Sequence, residues 1–267
     1  MKDISQALDQ YTGICKEALH DCASKLSKSF ESVIIEVLLL YMVIPGKINF
    51  TQMGRYGRHC EQCYRQNFGR LRSKSLNWLR FNAALALRYF GTGGRKAIDP
   101  SYISKAGKKT PHIGRFWSGC AGTVKQGLEI MGLGLIDIDA HNCMMLAGKH
   151  KLFFSTDTSL TGEEVQDFYR TRLQIEFCFR DAKQYCGLTH SQARDANKLD
   201  CAFNASFASL NVAKVMMKER GMEYSMSKFK LLMTNTFLAK RIIDVTRFRP
   251  NQTLINHLFN ELFGGAA

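Results

Sequence analysis

Along the first 90 residues apolar positions recur three and four apart, the period of a helix that buries one face. Ile4 to Leu26 and Ser29 to Ile44 carry this pattern, and Pro45-Gly46 stops the second segment because proline cannot continue a helix. Asn49 to Gly57 reads as a short helix capped by Asn49, with a turn at Gly57 and a second short basic helix from Cys60 to Leu71. Ser75 to Phe90 reads as one more helix. Gly91-Thr-Gly-Gly94 then interrupts the pattern and marks the best boundary in the chain, dividing it into regions 1–92 and 93–267.

Past that boundary the period shortens towards two. Lys96 to Pro100 predicts a short strand ending near Asp99, and Val124 to Ile138 a long one, followed by a turn at Asp139-Ala-His-Asn142. Cys143 to Leu146 and Lys151 to Phe154 predict two more strands, with Ala147-Gly-Lys149 between them. From Thr161 the pattern is helical nearly to the end, broken at Gly187, Gly221 and Pro250, and Thr161 with Glu164 forms a capping-box pair. Strands confined to one stretch between helical ends make the expected class α+β.

With 267 residues and 45% apolar side chains, the chain can bury a substantial core. Its formal net charge of +14 is concentrated: Lys47 to Lys125 holds sixteen Lys and Arg against two acids, Glu61 and Asp99. A basic block of that steepness, interleaved with aromatics, suits a polyanion, because each phosphate neutralised releases condensed counterions. Nucleic acid is therefore the expected partner. Two short helices around a glycine turn also outline a helix-turn-helix, in which the second helix enters the major groove and Arg65, Arg70, Arg72 and Lys74 are placed to touch bases or backbone. An ordinary helical hairpin has the same outline.

Nine cysteines lie scattered at irregular intervals, which reads as reduced thiols, buried rather than paired. Cys60-Glu-Gln-Cys63, with His59 beside it, has zinc-ligand spacing but lacks a second ligand pair. Val33 to Ile44 is strongly apolar, yet Glu36 and Pro45 leave it short of the roughly 18 apolar residues of a membrane span. It predicts a core helix. No membrane partner is expected, and with no targeting segment recognised at the start of the chain a cytoplasmic location is.

The segment Thr161 to Gly187 is the most informative. Tyr169, Arg172, Glu176 and Lys183 stand at offsets of 3, 7 and 14 from the first of them, which at about 100° per residue puts all four in a stripe about 60° wide. Arg180 lies close to that face. A carboxylate flanked by cations on one helical face suits a metal ion with phosphates on either side, and equally suits a solvated face of ion pairs.

Tyr, two residues, Arg, three residues, Glu, six residues, Lys resembles the signature of the insertion-sequence-four family of DDE transposases. Ala97-Ile-Asp-Pro-Ser-Tyr-Ile103 resembles that family's first catalytic strand, and Gly187-Leu-Thr-His-Ser-Gln-Ala-Arg194 the stretch after its signature helix. The resemblance implies a helical DNA-binding region at 1–92 and, at 93–267, an RNase H-like catalytic domain with a helical C-terminus. It makes Asp99 and Glu176 catalytic residues and ligands of a magnesium pair, with Tyr169, Arg172 and Lys183 positioning phosphates of the transposon end. Two such cations stabilise the attacking and leaving oxygens of a phosphoryl displacement. The implied partners are transposon-end and target DNA, with a homodimer on DNA.

The family's second Asp has no counterpart. Between Asp99 and Glu176 lie 76 residues that predict a hairpin and a final strand, with no strand ending on an exposed Asp. Asp137 and Asp139 sit at the far end of the hairpin, and Asp157 follows the last strand. The pattern implies an internal deletion near Leu146-Ala-Gly148 and an incomplete catalytic domain. Two functions are consistent with it, an impaired DDE transposase of an insertion sequence and a non-catalytic DNA-binding remnant that inhibits an intact transposase. Another RNase H-like nuclease or resolvase is disfavoured by the signature spacing.

Overall fold

A computed structural model describes residues 2–22, 26–70, 76–91, 95–106, 109–118, 122–137, 142–149, 162–246 and 253. Within these, five helices precede a small sheet and three long helices follow it. The N-terminal helices are α1 (Lys2–Asp21), α2 (Lys28–Val43), α3 (Phe50–Tyr56), α4 (Glu61–Arg70) and α5 (Trp78–Phe90). The strands are β1 (Arg95–Ser104), β2 (Gly114–Ser118), β3 (Thr123–Asp137) and β4 (Asn142–Lys149), and the last helices α6 (Gly162–Tyr185), α7 (Ala196–Glu219) and α8 (Met226–Thr246). The class is α+β.

Local chemistry explains the boundaries. Ser27, Asn49, Asn77 and Asp195 cap α2, α3, α5 and α7, each side-chain oxygen accepting from the amide three residues on. Gly187 ends the turn after α6 at φ +65, which glycine adopts without a Cβ penalty, while the Leu188 amide reaches back to the Ala182 carbonyl at 3.0 Å. The expected extension of α1 to Leu26 is not realised: Leu26 is outside any helix. The Thr161 cap and Pro250 lie outside the described residues, as does the predicted strand Lys151 to Phe154.

All strand pairings are antiparallel around β3. Strand β1 pairs with β3 from Ser104↔Gly127 to Arg95↔Ile136, while β2 and β4 both lie on the other side of β3. Three strand expectations need correction. Strand β1 runs to Ser104 instead of ending at Pro100. Strand β2 was not expected, because its five residues, Gly-Arg-Phe-Trp-Ser, are too short and mixed to show a period. Ala147-Gly-Lys149 does not follow the strand but forms the end of β4: a Cβ at Gly148 would sit 2.7 Å from the Phe207 ring, so this glycine admits α7 against a continuing strand.

On β3 the even-numbered residues from Leu128 to Ile136 are buried and the odd ones are half-buried, so one face of the sheet is covered. Helices α6 and α7 cover it. A single hydrophobic cluster joins that face to α1, α2, α5 and α8, running from Tyr11 and Leu38 through Phe81 and Phe207 to Phe229. Val33 to Ile44 forms the buried body of this cluster, as its apolar run predicts, and among the described residues no helix is long and apolar enough to cross a membrane.

Candidate active site and nucleic-acid surface

Asp99 is buried. It sits directly opposite Gly132, and antiparallel partners project to the same side of a sheet. A Cβ on Gly132 would lie 2.5 Å from the Phe179 ring, so Asp99 is on the face that α6 covers. Ser101, two residues on, shares that face, and its hydroxyl accepts a 2.8 Å hydrogen bond from Lys183 Nζ. Helix α6 is thereby fastened to the strand that carries Asp99.

The glycines fix how α6 lies. A Cβ at Gly134 would meet Ile175 at 3.2 Å, just as one at Gly132 would meet Phe179. Gly134 pairs with Ala97 and Gly132 with Asp99. Helix α6 therefore runs parallel to β1, with Ile175 level with Ala97, Phe179 with Asp99 and Lys183 with Ser101. Glu176 follows Ile175 and shares the Lys183 stripe, so its level falls between Ala97 and Asp99, on the exposed flank of the helix. The structure brings Asp99, Glu176 and Lys183 to one region, with one carboxylate buried and the other open to solvent.

Tyr169 and Arg172 lie on the continuous backbone of α6, but their side chains are outside the described residues. Arg180 is tied to Asp181 at 3.0 Å and lies 4.9 Å over the Phe177 ring. Asp137 pairs with Asn142 at the far end of β3, away from Asp99, as expected; Asp139 and Asp157 are outside the described residues. Among the described residues no group of three His, Cys, Asp or Glu could hold a metal ion. Among the described residues six cysteines are buried, but Cys60 is exposed and Cys63 half-buried, which corrects the expectation of buried thiols there. Their place at the start of a surface helix accounts for it.

The helix-turn-helix outline is realised as α3, Gly57 and α4. Gly57 is required by close approach, since a Cβ there would overlap the Tyr64 hydroxyl. Arg65 projects from α4, ion-paired to Glu61 one turn back and stacked 5.2 Å over Phe50. That arginine holds the Glu61 carboxyl below its ordinary range, with Thr51 donating to the same carboxylate at 2.9 Å. The Arg70 side chain, Arg72 and Lys74 lie outside the described residues.

Sequence reasoning missed a buried polar clamp. From α7, Asn204 and Asn211 each engage both backbone groups of one β4 residue, Gly148 and Met145 respectively, at 2.6–3.3 Å. Lys214, one turn further, donates to the Cys143 carbonyl at 2.6 Å and to Asn142 Oδ1 at 3.1 Å. Polar residues seven and three apart, in a largely apolar stretch of helix, were the available signal.

A family model described as "Transposase DDE domain" matches residues 41–212. Neither the comparison with curated proteins nor that with solved structures returned a match.

Proposed function

The chain belongs to the family of proteins with a transposase DDE domain, and from that premise we propose that it is a transposase-like protein of the insertion-sequence-four type, which binds transposon-end DNA through a catalytically impaired site. The observation that carries this reading is the fastening of the signature helix to the Asp99 strand: Lys183 on Ser101, with Glu176 two turns earlier on the same stripe. Nothing in an ordinary solvated helical face requires that alignment.

The RNase H-like reading rests on the order of elements. A carboxylate-bearing strand, an antiparallel long strand and a third strand beyond it are followed by the signature helix packed across their face. In that fold the strand carrying the second Asp would pair in parallel with the outer edge of β1. Among the described residues β1 pairs with β3 alone. We infer a deletion that removed the strand, at the end of β4.

Magnesium is the cation the family implies, and hard cations take oxygen ligands. The donor set does not fit it: Asp99 and Glu176 supply two carboxylates where two cations need three, and no third joins them among the described residues. Such a site holds cations under-neutralised, so no strand-cleavage step is derived through it. What remains is recognition. Arg65, Arg70, Arg72 and Lys74 serve DNA from α4 and the segment after it, while Tyr169, Arg172 and Lys183 position backbone phosphates.

The test is a magnesium-dependent nicking assay on DNA carrying the element's ends, run beside a gel shift and a Glu176→Ala control. The expected result is a shift without nicking, in wild type and control alike. Nicking that Glu176→Ala abolishes would refute the impairment and mean that another carboxylate completes the site. A chain that shifts no DNA would refute recognition itself.

A further inference from the structure

Two cavities on the described surface differ in charge. The larger, about 850 Å³, lies among α1, α2 and α8 and sets Asp9, Glu31, Glu36 and Asp244 against its lysines and arginines. The smaller, about 600 Å³, lies between the start of α3, α4 and the segment 190–198 that leads into α7. Its cations are Arg65, Arg194 and Lys198, and the acid in its wall is Asp195, whose carboxylate is already occupied in capping α7 through the Lys198 amide at 3.0 Å.

This second cavity is built by contacts between distant parts of the chain. His190 Nδ1 accepts the Ile48 amide at 3.0 Å, and Lys105 donates to the Ser191 carbonyl, so the α2–α3 junction, the end of β1 and the 190s segment are tied together. The Lys198 stem lies along α4, where a Cβ on Gly69 would be 3.4 Å from its Cε. Behind the wall the cations crowd one another. Burial, and then neighbouring Lys47, lower the Lys105 ammonium pKa, while burial followed by Lys230 and Lys47 does the same to His190. The imidazole is thus held neutral as an acceptor, and with Arg65 paired to Glu61 the positive charge on the cavity wall is that of Arg194 and Lys198.

The basic positions also form a path. Lys183 sits at Ser101 and Lys105 at the end of the same strand; Arg194 and Lys198 continue to α4. We propose that this cavity is a phosphate-binding site for the DNA backbone, in which Arg194 and Lys198 hold a duplex between α4 and the Asp99 face. The proposal rests on the DNA-binding reading above and adds a second contributing segment, at Arg194 and Lys198, far along the chain from the helix-turn-helix outline.

Direct contacts to phosphate are read from the salt dependence of binding. Each contact contributes about 0.9 to the slope of log affinity against log salt, so losing two removes about 1.8 and lowers affinity roughly 10- to 30-fold at 0.15 M salt. The experiment titrates the full chain with a 30-base-pair duplex of arbitrary sequence across a salt series. Arg194→Gln with Lys198→Gln is expected to show both losses with an unchanged melting temperature, and Arg194→Lys with Lys198→Arg to restore both. Lys16→Gln with Lys240→Gln, which removes two charges from the larger cavity, is expected to change neither. A wild-type slope and affinity in Arg194→Gln with Lys198→Gln would overturn the proposal while leaving DNA binding intact. A wild type that binds no duplex fails earlier, and takes the DNA-binding reading with it. Titration with ATP separates the sources of phosphate: saturable ATP binding lost in that double variant, at unchanged duplex affinity, would assign the cavity to a free nucleotide and overturn the backbone reading.

Discussion

The two edges of the sheet are finished in different ways. At β4, α7 supplies what a neighbouring strand would: Asn211 accepts from the Met145 amide at 3.1 Å and donates to its carbonyl at 2.6 Å, and Asn204 does the same for Gly148 at 3.2 and 3.3 Å. Asn82 of α5 completes the set, donating to the Leu146 carbonyl while accepting from Asn211. At β1, by contrast, no described element pairs with the outer edge. Exposed edge groups are a template for further pairing unless something satisfies them. One edge is therefore closed by side chains that the fold itself provides, and the other has no partner among the described residues, where the strand we infer to be deleted would pair.

The comparison breaks most sharply at Asn211. Replacing it with Leu keeps the number and branching of side-chain heavy atoms but strands the Met145 amide, its carbonyl and the Asn82 acceptor in the core. Each buried unsatisfied group costs about 1–3 kcal/mol, so with partial relaxation the loss is expected near 3–4 kcal/mol in denaturant unfolding. A loss below about 1 kcal/mol would show that β4 does not depend on the clamp.

A smaller effect is expected at Gly132→Ala, on the face between the edges. The new methyl would meet the Phe179 ring at 2.5 Å and Met145 Cε at 2.7 Å. Overpacking of this kind costs about 1–3 kcal/mol. Because Phe179 is level with Asp99, the same change lifts α6 from β1 and loosens the Lys183–Ser101 hydrogen bond. An unfolding midpoint equal to wild type would contradict the close approach.

How far the sequence disclosed these features depended on whether the signal was local. Asn49 and Gly187 announced an element end through backbone chemistry that needs no distant partner, and the apolar run of α2 announced its own burial. The seven-residue spacing placed Glu176 and Lys183 on one stripe without reference to any strand. Gly148 misled, because a glycine that makes room for Phe207 looks, in sequence, like a glycine that ends a strand. Ser101 was passed over as a partner for Lys183, and Asn204, Asn211 and Lys214 as clamps on β4, because their roles exist only once α6 and α7 lie across the sheet.

The smallest effect bears on the open edge itself. In a β-strand with one partner, alternate amides point away from that partner, and their exchange reports how readily the edge opens. Hydrogen exchange resolved to single residues should therefore find the outward amides of β1 exchanging at least about tenfold faster than those of Met145 and Gly148, a difference of about 1.4 kcal/mol in opening. The Asn211→Leu variant should bring the Met145 amide towards the β1 rate while leaving Gly148, held by Asn204, slower. Equal protection at both edges of the wild type would mean that a segment outside the described residues pairs with β1. The strand inferred to be missing would then be present, and with it a place for the third carboxylate.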